Sequence, residues 1–329
     1  MKTTQMTGTA ALLLAGLLAV QAGALAQTGS VEIPLLHEPG APGARADRED
    51  GGPEALAFDG TNVWVTRQFA NTVTRIRAAD GVPLEVFRVG ERPTAVIADG
   101  TSVWVANTLS NTVTRIRAWD GALLGTIDVG ERPAGLASDG QNIWVANSGE
   151  NTVTKLRAWD GEVLGTFPVG RRPMGIAWDG ASVWVANNFD NTVTRLRGSD
   201  GVSLGAFPVG KGPFGVAFDG AQVWVTNFFD GTVSRLRATD GALLGTHAVG
   251  DGAAHISFDG PHLWVAASGI DRVLRLRPSD GRVIGRFPAG TGPFAAFSDG
   301  RRLWVANFGA DNVSVSALAE PAPGAAPTR

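Results

Sequence analysis

Apolar and polar positions along this chain repeat every forty residues. The unit begins at Pro53, Pro93, Pro133, Pro173, Pro213, Ala253 and Pro293, six times in full and a seventh time as far as Leu318. Such a period, with turn signals inside each copy, marks a radial or stacked repeat. In the copy starting at Pro173 the pattern predicts four short strands. Gly175–Trp178 is the first and ends at Asp179-Gly180, a dipeptide that marks a hairpin when it lies between apolar runs. Val183–Ala186 is the second. Its consecutive large residues Val183, Trp184 and Val185 imply burial on both faces, as in a sheet sandwiched between two others. Thr192–Arg197 is the third, closed by Asp200-Gly201, and Leu204–Val209 is the fourth.

The residues also set a radial order. First-strand positions are small (Gly135, Ala137, Gly175, Ala177, Gly215, Ala217), which suits backbones crowded about an axis. Fourth-strand positions accept Pro168, Pro208 and Pro288. Proline cannot donate to a ladder and belongs on an edge, so the first strand is innermost and the fourth outermost. The expected architecture is all-β, a β-propeller of four-stranded antiparallel blades. The seventh copy lacks its fourth strand, whereas Ile33-Pro34-Leu35 matches Phe207-Pro208-Val209. The segment Ser30–Leu36 is therefore expected to complete the last blade, giving seven blades and no unfinished sheet edge.

The remaining chain divides by composition. Residues 1–26 carry Lys2, an apolar run Ala10–Val20 and Ala24-Leu25-Ala26 before Gln27, the pattern of a secretory signal peptide. Residues 27–52 hold the closing strand and an inserted loop, 53–318 the repeats, and 319–329 a Pro- and Ala-rich tail expected to be disordered. The expected location is periplasmic or secreted, as a monomer with no membrane insertion once the signal is removed. With no cysteine there is neither a disulfide nor a lipid-attachment site. A formal net charge of −3 gives no global reason to bind nucleic acid.

Trp224-Val225-Thr226-Asn227, and Val103–Asn107 followed by Asn111-Thr112-Val113-Thr114-Arg115, resemble the YVTN-type (NHL-like) repeats of exported bacterial seven-bladed propellers. That resemblance implies the fold; such propellers host binding proteins, surface proteins and a few enzymes. The Pro-x-Gly-Ile…Asp-Gly…Trp pattern is also distantly similar to the streptogramin (virginiamycin B) lyase family, whose catalytic residues include a Glu-Pro-His run opening an inner strand and a further His. Here the residues after the repeat prolines are Glu54, Thr94, Ala134, Met174, Phe214 and Phe294, never His. His255 lies one place further along, where strand alternation turns a side chain to the opposite face. The catalytic set therefore does not carry over.

Chain direction puts the inter-blade connections and the loops between second and third strands on one face, and both Asp-Gly turns on the other. The Asp-Gly face varies little between copies and reads as a structural end. The first face varies, and ligand sites sit on loops held by a rigid scaffold. Around it Arg132, Arg171, Arg172 and Lys211 form a basic arc flanked by Glu91 and Glu131 and opposite Asp251, and Arg92 stands beside Glu91 on the same rim. Such an arc suits a carboxylate or phosphate; the alternative is solvated loop charge, with rim pairs worth ~0–1 kcal/mol. Met174, Phe214, Phe294, Phe189 and Phe228 lie just inside, as a pocket lining or as packing between blades. No metal spacing or cofactor fingerprint occurs. The expected function is binding of an unknown partner protein or a small anionic ligand at this mouth. The alternative is a lyase or hydrolase using His37, Glu38 and Glu91, and residues 40–52 are a candidate lid over either site.

Overall fold

The computed structural model describes residues 30–33 and 51–318. The expected signal peptide, residues 34–36 of the expected closing segment, His37, Glu38, all but the last two residues of the 40–52 insertion, and residues 319–329 lie outside the described residues. The strands form seven four-stranded antiparallel sheets. Blade 1 runs over Pro53–Arg88, blade 2 over Pro93–Asp128, blade 3 over Pro133–Pro168 and blade 4 over Pro173–Pro208. Blade 5 covers Pro213–Ala248, blade 6 Ala253–Pro288, and blade 7 Pro293–Ala317 together with Ser30–Ile33. Innermost strands of successive blades pack on one another around the ring, and those of blades 7 and 1 close it. At Gly175 an added Cβ would come within 2.2 Å of the Phe214 carbonyl oxygen, which is why this axial position is glycine.

Closure occurs as the proline pattern predicts. Ser30–Ile33 pairs antiparallel with Asn312–Ala317, with Ile33 opposite Val313. Phe207 faces Val193 in the same place in blade 4.

The core is a ring of wedges between blades. Trp184, Ala186 and Val193 of blade 4, for example, pack on Val216, Val223, Val225 and Leu236 of blade 5. The second strand of every blade contributes a tryptophan with no solvent exposure. A buried indole N–H needs an acceptor, and each finds one in the first Asp-Gly turn: Trp184 Nε1 donates to Asp179 Oδ2 at 2.7 Å. Above most of these rings lies a cation from the third strand. Arg195 sits 5.2 Å from the Trp184 centroid and donates to the Thr239 carbonyl of the next blade at 2.9 Å. Blade 7 has Val315 there, and Arg302 instead donates to the Ala78 and Ala79 carbonyls of blade 1. The asparagine of the Val-Trp-Val-Ala-Asn run is structural too: Asn187 Nδ2 donates to Thr192 Oγ1 at 3.0 Å and Thr194 Oγ1 at 2.8 Å.

Candidate functional site

The mouth is built on one backbone position, the residue just before each blade. Its carbonyl accepts from the loop between second and third strands of its own blade: Thr108 N bonds to Arg92 O, Ser148 N to Arg132 O and Asn188 N to Arg172 O. Its N–H is held by the asparagine of the preceding blade: Asn71, Asn111 and Asn151 Oδ1 accept from Arg92, Arg132 and Arg172, each at 2.9 Å. Between these two anchors the backbone is left-handed. Glycine supplies it before four blades, at Gly52, Gly212, Gly252 and Gly292. Before blades 2, 3 and 4 the residue is instead Arg92, Arg132 or Arg172, with φ of 55°, 54° and 53°. A residue with a Cβ pays about 1–2 kcal/mol for that conformation. Non-glycine residues held there tend to mark functional sites.

All three arginines line a cavity of about 790 Å³ at the mouth of the channel. On their side the wall is polar, with Thr94 and Thr108 joined Oγ1 to Oγ1 at 2.7 Å and Thr108 donating to the Pro133 carbonyl at 2.7 Å. The wall from blades 5, 6 and 7 is aromatic. Phe214 lies 5.3 Å from Phe294 and 5.4 Å from His255, both edge-on, and Phe294 lies 6.0 Å from Phe308. Phe228 supports this cluster through Phe214 at 6.1 Å.

His255 corrects an expectation drawn from strand alternation. Four residues of its strand, Ala253 to Ile256, are matched by three of the partner, Ala267 to Val265. That bulge changes which side chains face the axis. Ala254 is buried and His255 lines the cavity. Burial among the rings pushes its imidazole down to about 4, so it is neutral at physiological pH.

Glu54 opens the inner strand of blade 1 and is the one carboxylate among Glu54, Thr94, Ala134, Met174, Phe214, Ala254 and Phe294, the equivalent positions. It is 8% exposed and accepts from Gln68 Nε2. Burial pushes its carboxyl up to about 8, with Arg92 and Gln68 only partly opposing that rise. The folded state thus holds the proton more tightly than the unfolded chain. Stability is fullest below about 4.5 and falls as pH rises to about 8. Glu54→Gln removes the ionisation. Its free energy of unfolding is expected to draw ahead of that of the native protein between pH 5 and 8.5, by an amount on the order of a few kcal/mol, with the melting temperature rising alongside. Parallel melting curves across that range would mean that Glu54 is not held as the acid.

The other expected residues separate by position. Arg171 lines the rim of the cavity but is paired, its Nε donating to Asp190 Oδ1 at 2.6 Å. Arg172 stacks over Phe189, 4.7 Å from the ring centroid, and both line the cavity along with Met174. Glu91, Glu131 and Lys211 are exposed on the rim and do not line it. Glu54, Gln68 and the inward His255 are the additions that sequence reasoning missed; for Glu54 the available signal was a lone charge on an otherwise uncharged inner ring. Among the described residues no group of three or more His, Asp or Glu side chains could hold a metal ion.

No protein-family model matches the chain, and no curated protein matches it. Solved structures do. The chain is similar to selenomethionine-substituted virginiamycin B lyase from Staphylococcus aureus with a TM-score of 0.73 at 19% identity, over 88% of this chain and 99% of that one. A catalytically inactive form of that enzyme with quinupristin gives 0.72 at 20% identity over the same shares. Hydrazine synthase of Kuenenia stuttgartiensis gives 0.70 at 19%, over 85% of this chain and 99% of that one. A lyase and a synthase thus share the ring of blades, and the likeness is one of fold.

Proposed function

We propose that this is an exported binding propeller whose mouth takes a small amphipathic anion: a carboxylate or phosphate on an aromatic or apolar body. The observation that carries the reading is the run Arg92, Arg132, Arg172 in left-handed conformation, facing an aromatic wall across one cavity. Three guanidiniums on a rigid arc suit bidentate capture of an anionic group. The rings of Phe214, Phe294 and Phe308 suit the apolar body. Glu54, held as the acid below about pH 8, adds a hydrogen-bond donor instead of a repelling charge.

The test is calorimetric titration of the mature protein with aromatic carboxylates, such as indole-3-acetate and naphthoate, each beside its neutral amide. The carboxylate is expected to bind at least ~10-fold more tightly than the amide at pH 7, a difference of about 1.4 kcal/mol. It should weaken as salt is raised. Equal affinity for acid and amide would sink the reading. A second reading, a lyase or hydrolase in the same cavity, is favoured by one observation: a protonated carboxyl, Glu54, and a neutral imidazole, His255, both line it, the residue types that serve as an acid and a base. Turnover of lactones or cyclic esters, abolished by both Glu54→Gln and His255→Ala, would establish it.

A further inference from the structure

The face opposite the mouth is not uniform. At the turn between third and fourth strands the residue before the aspartate is Ala79, Ser199, Thr239 or Ser279 in blades 1, 4, 5 and 6, but Trp119 and Trp159 in the adjacent blades 2 and 3. Their side chains are 75% and 72% exposed, the highest values among the large hydrophobic residues described. Indoles this open contribute almost no packing, and exposed aromatic surface beside polar groups marks an interaction site.

A second feature separates the same two blades from the rest. Arg117 lies 4.9 Å over the Trp119 ring and forms a two-pronged bond to Asp120, Nε to Oδ1 and Nη2 to Oδ2, each at 2.9 Å. Arg157 lies 4.8 Å over Trp159 and grips Asp160 in the same way, at 3.0 and 2.6 Å. The equivalent Arg77, Arg197, Arg237 and Arg277 each make a single bond to their aspartate. Stacking on the indole thus fixes the guanidinium flat and in register with the carboxylate, and the other face of each indole stays open. The two units are also tied together: Arg115 of blade 2 donates to the Trp159 carbonyl at 2.8 Å.

The chemistry on offer is a flat apolar plate edged by guanidinium N–H donors and carboxylate lone pairs that already neutralise each other. Glu162, also bonded to Arg157, leaves the second unit net negative. That charge balance disfavours anionic lipid and nucleic acid, which need an excess of cations. It fits a ligand without charge, apolar on one face and ringed by hydroxyls that both donate and accept: a pyranose. Two equal units one blade apart suit a repeating chain, since linked subsites multiply affinity. We propose that Trp119 and Trp159 form a two-subsite platform for an uncharged polysaccharide. Sugar rings stack on the open indole faces, and their hydroxyls bond the Arg117–Asp120 and Arg157–Asp160 pairs.

The test uses the mature protein with Trp119→Ser, Trp159→Ser and the double variant. Serine is what blades 4 and 6 carry at this turn, so the fold is retained, which a melting curve checks. Probes are retention on insoluble cellulose and chitin, and quenching of tryptophan fluorescence by cellohexaose and chitohexaose. The native protein is expected to bind at least one of these glycans, each single variant to lose ~10-fold in affinity, and the double variant to lose ~100-fold or more. Arg132→Gly at the mouth should leave glycan affinity unchanged. Absence of native binding to all four glycans overturns the proposal, as does unaltered retention of the double variant. Tryptophan-dependent binding to phosphatidylglycerol vesicles or to a protein, with none to glycans, overturns it as well.

Discussion

Replacing Arg92, Arg132 and Arg172 together with glycine is expected to make the protein more stable and abolish its affinity for anions. Glycine already occupies the equivalent left-handed positions at Gly52, Gly212, Gly252 and Gly292, so the two anchors of this backbone are unaltered. Each substitution relieves about 1–2 kcal/mol of left-handed strain and returns about 0.5–1 kcal/mol through the freer unfolded chain. Arg172 also gives up its stacking on Phe189, worth about 0.5–1 kcal/mol at an exposed site. The net gain is about 1–2 kcal/mol for the three, a rise of roughly 2–4 °C in melting temperature at this chain length. Against that, each charge-assisted bond to a bound anion is worth about 1.5–3 kcal/mol, so the carboxylates of the binding panel should weaken at least ~100-fold. A gain in stability with a loss of binding is the signature of residues kept for function at a cost in strain. A less stable variant, or one that binds carboxylates as before, would show that these arginines are ordinary rim charge.

The ring of blades was legible because local signals repeat. Asp-Gly turns, the doubly buried Val-Trp-Val strand and proline on outer strands each recur in several copies, and together they place Ile33 opposite Val313 without any long-range information. The mouth was legible only in part. Arg171 and Arg172 are neighbours of identical charge, yet Arg171 is neutralised by Asp190 while Arg172 has the left-handed backbone and stacks on Phe189. What distinguishes them in sequence is that glycine replaces Arg172 in four other copies and Arg171 in only one, at Gly51. His255 was misplaced because alternation along a strand fails at a bulge, and the inner strand of every blade carries one just after its first residue. Glu54 escaped notice because a carboxylate beside a repeat proline reads as solvated loop charge until burial is known.

Asp99→Ala is expected to destabilise blade 2, and with it the ring, by about 3–4 kcal/mol. In sequence the residue is half of a hairpin signal. In the structure it is an acceptor hub: Oδ1 takes the Thr101 N–H at 2.8 Å, the Ser102 N–H at 2.7 Å and the Thr101 hydroxyl at 2.9 Å, and Oδ2 takes the Trp104 indole N–H at 2.7 Å. Alanine leaves Trp104 Nε1 and Ser102 N without a partner, and a buried donor left unpaired costs about 1–3 kcal/mol. For a protein of this length the melting temperature should fall by roughly 6–8 °C. Asp99→Asn separates charge from shape, because one acceptor oxygen becomes an N–H₂ facing the indole donor; it is expected to cost about 2 kcal/mol. The carboxyl is held below its ordinary value although burial pushes it up, because the bonds from Trp104, Ser102 and Thr101 outweigh that penalty. Its contribution is therefore complete above the unfolded value of 3.8 and is lost as pH falls through the lower folded value. The gap between native and Asp99→Asn should accordingly be constant from pH 7 to pH 5 and narrow only below about pH 4. A penalty under about 0.5 kcal/mol for Asp99→Ala, the size expected of an exposed turn residue, would reduce the aspartate to the surface role its dipeptide suggests. The seven buried tryptophans would then owe their placement to apolar packing alone.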